Sequence, residues 1–136
     1  MESRISDARL PRAERLRGRK TFQLLFHLAK RWEKGALRLY AVAFLINLGL
    51  PRLQVAFAVP KKVLRKAAHR NKVRRRLREA YRQEKAGFLA SFPWGQAWLF
   101  WQWRGAEIPT VPALRHEMRY LFDRFQRECC DTFSSD

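Results

Sequence analysis

The order of local patterns along this chain predicts an α/β (α+β) two-layer sandwich, with helices laid against one face of a small mixed sheet. Three observations carry the prediction. An apolar-striped helix precedes two β-patterned runs that are separated by Asn, Gly and Pro. A long, strongly basic helix follows. A continuous apolar run, Gln96 to Trp103, then stands between that helix and an amphipathic terminal one. A chain of 136 residues is long enough for one domain with a single buried core.

Residues 1–15 mix Ser, Arg, Pro and acids without periodicity, the pattern of a flexible basic leader; the folded domain is expected to span residues 16–126. Arg19 to Ala29 reads as a short helix with Phe22, Leu25, Phe26 and Ala29 on one stripe and Leu24 and Leu28 on another. A surface helix needs one such stripe, so the second fits either core or a groove. Lys30 to Gly35 is basic and turn-like, with room for a short edge strand. Leu37 to Ile46 is a strand, residues 47–52 (NLGLPR) a turn, and Leu53 to Val59 a second strand. Strands joined this closely are expected to pair antiparallel. Alternation puts Arg38, Tyr40, Val42 and Phe44 on one face of the first. In the second, Val55, Phe57 and Val59 look inward, which leaves Gln54, Ala56 and Ala58 as a small, part-polar face suited to a ligand. On pattern alone Tyr40 reads first as a core position and second as a stacking ring.

Pro60 ends the second strand because it has no N–H to give the ladder. Lys61 to Ala68 then leads into the basic helix, expected to stop before Gly87. Lys61 to Arg82 holds 11 Lys or Arg in 22 residues, with Glu79 as its one acid. At about 100° per residue, Val73, Leu77, Ala80, Tyr81 and Glu84 share a sector that can bury. Asn71, Arg75, Arg78 and Arg82 lie opposite, with Arg74 and Lys85 at the flank. Guanidinium groups about one turn apart match a phosphate backbone, and the Arg fork pairs with phosphate bidentately. A charge run can also be a plain solvated face. Such faces mix signs, however, and no Asp or Glu occurs between Lys34 and Arg78. A net charge of +17 points the same way, to a large polyanion as partner.

Phe88 to Gly95 reads as a loop. Gln96 to Trp103, apolar on both faces, reads as a central strand whose three tryptophans suit packing between layers or base stacking. Arg104 to Pro109 is loop, Thr110-Val111-Pro112 supplies a cap and first-turn proline, and Leu114, Met118, Leu121, Phe122 and Phe125 mark the terminal helix. Residues 127–136 are expected to be a frayed tail. His27, His69 and His116 are scattered and the acids lie mostly near the two ends, so no carboxylate cluster for metal-assisted phosphodiester cleavage is visible. No serine elbow or Gly-rich phosphate loop occurs. Cys129 and Cys130 are adjacent and lack the partners of a zinc site. No catalytic or metal-ligating residue is therefore assigned to the chain. Neither a membrane span nor a signal peptide is indicated, and a cytoplasmic location without a small-molecule substrate is expected.

Phe57-Ala58-Val59-Pro60-Lys61-Lys62, followed by Arg70-Asn71-Lys72-Val73-Arg74-Arg75-Arg76-Leu77-Arg78-Glu79-Ala80-Tyr81-Arg82, resembles the signature of the bacterial ribonuclease P protein subunit. Lys72 departs from it, standing where the family usually has Arg. The resemblance is densest over residues 52–82 and looser from about Leu16 to about Phe125. It implies a four-stranded mixed sheet in α-β-β-β-α-β-α order, with a left-handed β-α-β crossover like that of domain IV of the translocating elongation factor. It also implies that the catalytic ribonuclease P RNA and precursor tRNA are the partners and that the RNA performs the cleavage. The protein would bind no cofactor alone, and the Mg²⁺ needed by the holoenzyme would be held mainly by RNA. Carried onto this chain, Arg70, Asn71, Lys72, Arg74, Arg75 and Arg78 would grip the RNA subunit, extended by Lys61, Lys62, Arg65 and Lys66. Phe22, Phe26, Arg38 and Tyr40, floored by Ala56 and Ala58, would hold the 5′ leader of precursor tRNA. Two rivals stand beside this reading. One is a ribosomal or RNA-chaperone module with no part in cleavage. The other is a membrane-surface protein, against which the basic helix needs its apolar side for the core and carries no Trp or Phe between Lys72 and Arg82 to enter a bilayer.

Overall fold

The computed structural model of the protein describes residues 10–47 and 49–134. A 3₁₀ turn at Arg12–Glu14 precedes α1 (Arg19–Leu28), β1 (Lys30–Lys34), β2 (Leu37–Phe44), β3 (Leu53–Ala58), α2 (Ala67–Ser91), β4 (Gln96–Trp103) and α3 (Val111–Ser134). The order α-β-β-β-α-β-α and the mixed four-stranded sheet are those expected.

Strand order is β1-β2-β4-β3, with β1–β2 and β2–β4 antiparallel and β3–β4 parallel. The expected β2–β3 pair therefore does not form. The two strands do run in opposite directions, but β4 lies between them. Its sequence explains why: a strand apolar on both faces loses least water-exposed surface cost in the centre of a sheet. The hairpin partner of β2 is β1, through a turn in which Gly35 sits at φ +61°. A side chain there would be strained, and its Cβ would stand 2.6 Å from Glu117 Oε2.

One face of the sheet carries Leu37, Leu39, Val55, Leu99 and Trp101, all buried. It is covered by α2 through Val73, Leu77, Ala80 and Tyr81, the sector that helical periodicity identifies, and by α3 through Leu114, Met118, Leu121, Phe122 and Phe125. Each of the larger aliphatic and Phe side chains among them contributes about 1.5 to 3 kcal/mol of burial. The fifth member of the sector, Glu84, closes the α2–α3 seam as an acceptor for Arg115 and Arg119. The short helix α1 does not join this layer; it lies over the opposite face, where Phe22 and Phe26 meet Phe100.

Three boundaries differ from expectation, each through packing. The basic helix runs past Gly87 to Ser91, because Phe88 stacks on Phe122 at 4.2 Å and Phe92 packs beneath it. That contact outweighs the roughly 1 kcal/mol cost of a helical glycine. The terminal helix continues to Ser134 in place of a tail from residue 127, supported by i,i+4 pairs Asp123–Arg127 and Arg124–Glu128. Residues 10–15, assigned to the leader, are seated on the domain. Leu16 is buried and its N–H donates to Val55 O at 2.9 Å, Gln54 Nε2 donates to Ala13 O, and Lys85 Nζ pairs with Glu14 at 2.9 Å. The rest of the expected leader, residues 1–9, lies outside the described residues.

Candidate nucleic-acid interface

The face of the sheet turned away from α2 and α3 is built in register. Tyr40 of β2, Phe100 of β4 and Ala56 of β3 form one row across it, and Arg38, Gln102 and Ala58 form the next. Because side chains alternate along a strand, both rows point the same way. Over them, α1 suspends two rings. Phe26 stands edge-on to Tyr40 at 5.2 Å and to Phe100 at 5.5 Å, Phe22 meets Phe100 at 5.7 Å, and Tyr40 lies 5.8 Å from Phe100. Edge-to-face geometry at these separations is favourable for the ring quadrupoles. Phe26 nevertheless keeps half its surface in water. The flanking alanines add no bulk, so the shelf beside the rings stays shallow and open.

The sequence-predicted leader residues thus come together. Phe22, Phe26 and Tyr40 share one cluster, Ala56 flanks it, and Ala58 and Arg38 form the adjoining row. Arg38 is positioned by Glu33 of β1, which accepts from its Nε at 2.7 Å, while its Nη1 donates to Tyr40 Oη at 3.4 Å. Phe100 is the residue that sequence reasoning missed. Like Phe26, it meets all three other rings of the cluster, and its signal was available in the alternation of Gln96 to Trp103 once β4 is placed between β2 and β3. Of the tryptophans in that strand, Trp101 and Trp103 are buried between layers, while Trp98 donates from Nε1 to Gln54 Oε1 at 3.1 Å and packs on Phe44.

The second basic surface lies on α2 and the segment leading to it. Lys61, Lys62, Arg65, Lys66, Asn71, Lys72 and Arg75 are exposed. Arg70 is committed locally: its Nη1 donates to Leu64 O at 2.8 Å and Arg65 O at 2.6 Å, clamping the approach segment onto the first helical turn. Arg74 donates to Asn71 Oδ1 at 3.2 Å. Arg76, outside the predicted set, donates to Pro109 O and ties α2 to the start of α3. Arg78 is half-buried. Loss of hydration, and then repulsion from Arg74, Arg75 and Arg15, pull its guanidinium below the ordinary Arg value.

Among the described residues, no three His, Cys, Asp or Glu side chains are grouped so as to hold a metal ion. The carboxylates of α2 are engaged, Glu79 with Arg82 and Glu84 with Arg115 and Arg119. No described helix is long and apolar enough to cross a membrane.

Comparison with known proteins decides the family, since the ribonuclease P family model matches residues 10–126. The chain belongs to the ribonuclease P protein family. The ribonuclease P protein component of Chlorobaculum tepidum is 34% identical over 122 residues, which cover 82% of this chain and 79% of that one. The solved RNase P protein from Thermotoga maritima superposes with a TM-score of 0.64 at 27% identity, over 82% of this chain and 96% of its own. The RNase P protein of Staphylococcus aureus shares the fold at 18% identity, with a TM-score of 0.64 over 83% of this chain and 95% of that one. Family membership makes this chain a ribonuclease P subunit and places it in tRNA processing and RNA binding.

Proposed function

We propose that this protein assists a bacterial catalytic RNA in removing the 5′ leader from precursor tRNA, by holding the leader on its open sheet face and the RNA subunit along α2. The observation that carries the reading is the half-exposed Phe26 over Tyr40 and Phe100, beside the alanine shelf. Exposed rings backed by packed ones are stacking platforms, and each stacked base is worth about 1 to 3 kcal/mol. Arg38 brings a guanidinium to the same strip, held by its ion pair with Glu33 and in contact with the Tyr40 hydroxyl. Lys61, Lys62, Arg65, Lys66, Lys72 and Arg75 present charge to the RNA subunit. Arg70 contributes by holding the approach segment, and Arg74 holds Asn71.

Phosphodiester hydrolysis itself is assigned to the RNA. The carboxylates of α2 are bound by guanidiniums, which supports a reading in which the Mg²⁺ that cleavage requires is held mainly by RNA phosphates and the protein adds positive charge and position. The location that follows from such partners is the cytoplasm.

The test is cleavage of a precursor tRNA at low Mg²⁺ by the source bacterium's catalytic RNA, with and without the protein. The wild-type chain is expected to restore 5′ cleavage, and Phe22→Ala/Phe26→Ala/Tyr40→Ala to lose that effect while still binding the RNA subunit. Tight, salt-sensitive RNA binding without any stimulation would leave only a binding module.

A further inference from the structure

We propose that a groove at the outer edge of β3 is a second RNA subsite, taking one nucleotide with its flanking phosphates, and that Arg15 and Arg17 of the N-terminal segment grip it. The inference rests on the reading of this chain as an RNA-binding ribonuclease P subunit, and it extends the contact surface to residues which that reading does not use.

The groove has a volume of about 450 Å³, within the range of about 300 to 1,000 Å³ typical of pockets for small ligands. It begins at Ala56 on the open sheet face and runs round the strand edge to α2. Among the described residues, the charged side chains that line it are four guanidiniums, Arg15, Arg17, Arg74 and Arg78. Glu14, the acid next in sequence to Arg15, is occupied by Lys85 Nζ at 2.9 Å. Four cations around one concavity repel each other; Arg78, whose basicity burial lowers first, is lowered further by Arg74, Arg75 and Arg15. A phosphodiester removes that repulsion, and planar forks suit its paired oxygens.

The strand edge adds a second recognition element. Leu16 N–H donates to Val55 O, in a pairing limited to the single bridge Arg15–Val55. Peptide groups two residues apart on a strand face the same way, so the N–H and C=O of Phe57 also point outward, into the groove wall. An edge offering one donor and one acceptor beside the apolar side chains of Leu10 and Leu16 can take a splayed base, while the arginines hold its phosphates. Arg15 is held in place for this by its own Nε, which donates to Leu10 O at 3.0 Å.

The phosphates could come from the catalytic RNA or from the precursor, and two arms separate them. The first measures affinity of the full-length protein for the catalytic RNA alone. The second measures affinity of the assembled holoenzyme for precursor tRNA with its leader and for mature tRNA. Arg17 is exposed, so Arg17→Ala leaves packing intact; Arg15→Lys/Arg17→Lys keeps the charge and removes the forks. Loss of one charge-assisted phosphate contact is expected to weaken the relevant affinity about tenfold. The double lysine variant should fall several-fold despite equal charge. A loss confined to the first arm assigns the groove to the catalytic RNA, and a loss confined to leader-bearing precursor assigns it to the leader. Unchanged affinity in both arms, for both variants, overturns the proposal. A wild-type protein that fails to stimulate cleavage overturns the ribonuclease P reading instead, and the Arg17 dependence of RNA affinity remains readable on its own.

Discussion

Arg119 reaches from α3 to Glu84 on α2, donating from Nε to Oε1 at 3.0 Å and from Nη2 to Oε2 at 2.9 Å, while Arg115 Nε adds a third bond at 2.7 Å. The carboxylate is largely buried, and its donors are more exposed. This is the polar seam between the two helices that cover the core, and it has a pH signature.

Hydrogen bonds from Arg119 hold the Glu84 carboxyl below its ordinary value; burial opposes them and Arg115 reinforces them. A depressed folded-state pKa gives stability that is complete above the unfolded value and is lost as pH falls through the folded one. Glu84→Gln should therefore cost about 1 kcal/mol at pH 7, held to that level by solvent around the guanidiniums. The deficit relative to wild type should shrink on acidification below about pH 4.5. Urea unfolding of both proteins at pH 7 and pH 3 checks this; an equal gap at the two values would contradict it.

Phe26→Ala should separate binding from stability. Half of the side chain is in water, so its truncation should lower unfolding free energy by only about 1 kcal/mol. Holoenzyme affinity for precursor tRNA should fall about tenfold, with mature tRNA unaffected. Phe100→Ala, which removes the ring shared by Phe22, Phe26 and Tyr40, should reduce both quantities.

Gly87 lies inside α2 with nothing within 4 Å of where a Cβ would stand. Gly87→Ala should raise stability by about 0.5 to 1 kcal/mol, read as an increase in melting temperature without loss of RNA affinity. A decrease would show that the helix does not extend through residue 87 in solution.

Tyr81 is fully buried, and its hydroxyl has no hydrogen-bond partner among the described residues. Tyr81→Phe should be neutral or should stabilise the fold by about 1 kcal/mol, since a buried hydroxyl without a partner is unfavourable. Denaturant titration reads this directly, and a clear loss of stability would reveal a hydrogen bond to that oxygen.

If about eight phosphates are neutralised, log affinity for RNA should fall with log salt at a slope near −6 to −7, between the single-strand and duplex coefficients. A slope shallower than about −2 would mean that the exposed cations of α2 and its approach segment are largely a solvated face.

Much of this arrangement is written in short-range pattern. The buried sector Val73, Leu77, Ala80, Tyr81 follows from helical spacing, and β4 is found at its predicted bounds because its apolar run ends abruptly at Gly95 and Arg104. Alternation places Arg38 and Tyr40 on one face of β2 and Ala56 and Ala58 on one face of β3, and the family resemblance marks them as cleft residues. What local pattern does not contain is which strand neighbours which. Leu53 to Ala58 and Leu37 to Phe44 carry no mark that a strand some 40 residues later will separate them, and so Phe100 was invisible as the centre of the cluster. The same limit hid the seating of residues 10–15, which depends on Val55 and Gln54. The continuation of α2 beyond Gly87 depends on Phe122, a distant partner again.

The separation of β2 from β3 by β4 also sets a timetable for biosynthesis. Until Gln96 to Trp103 has left the ribosome, β3 has no strand beside it, and β2 is supported only by the β1 hairpin. The sheet closes late, through contacts distant in sequence, which slows folding and leaves strand edges open on the nascent chain. Phe100 arrives with that last strand. An incomplete chain therefore displays the basic stretch from Lys61 to Arg82 without the aromatic cleft, and can attract RNA through charge before it can hold a leader. Selective grip is acquired only when nearly the whole protein has been made.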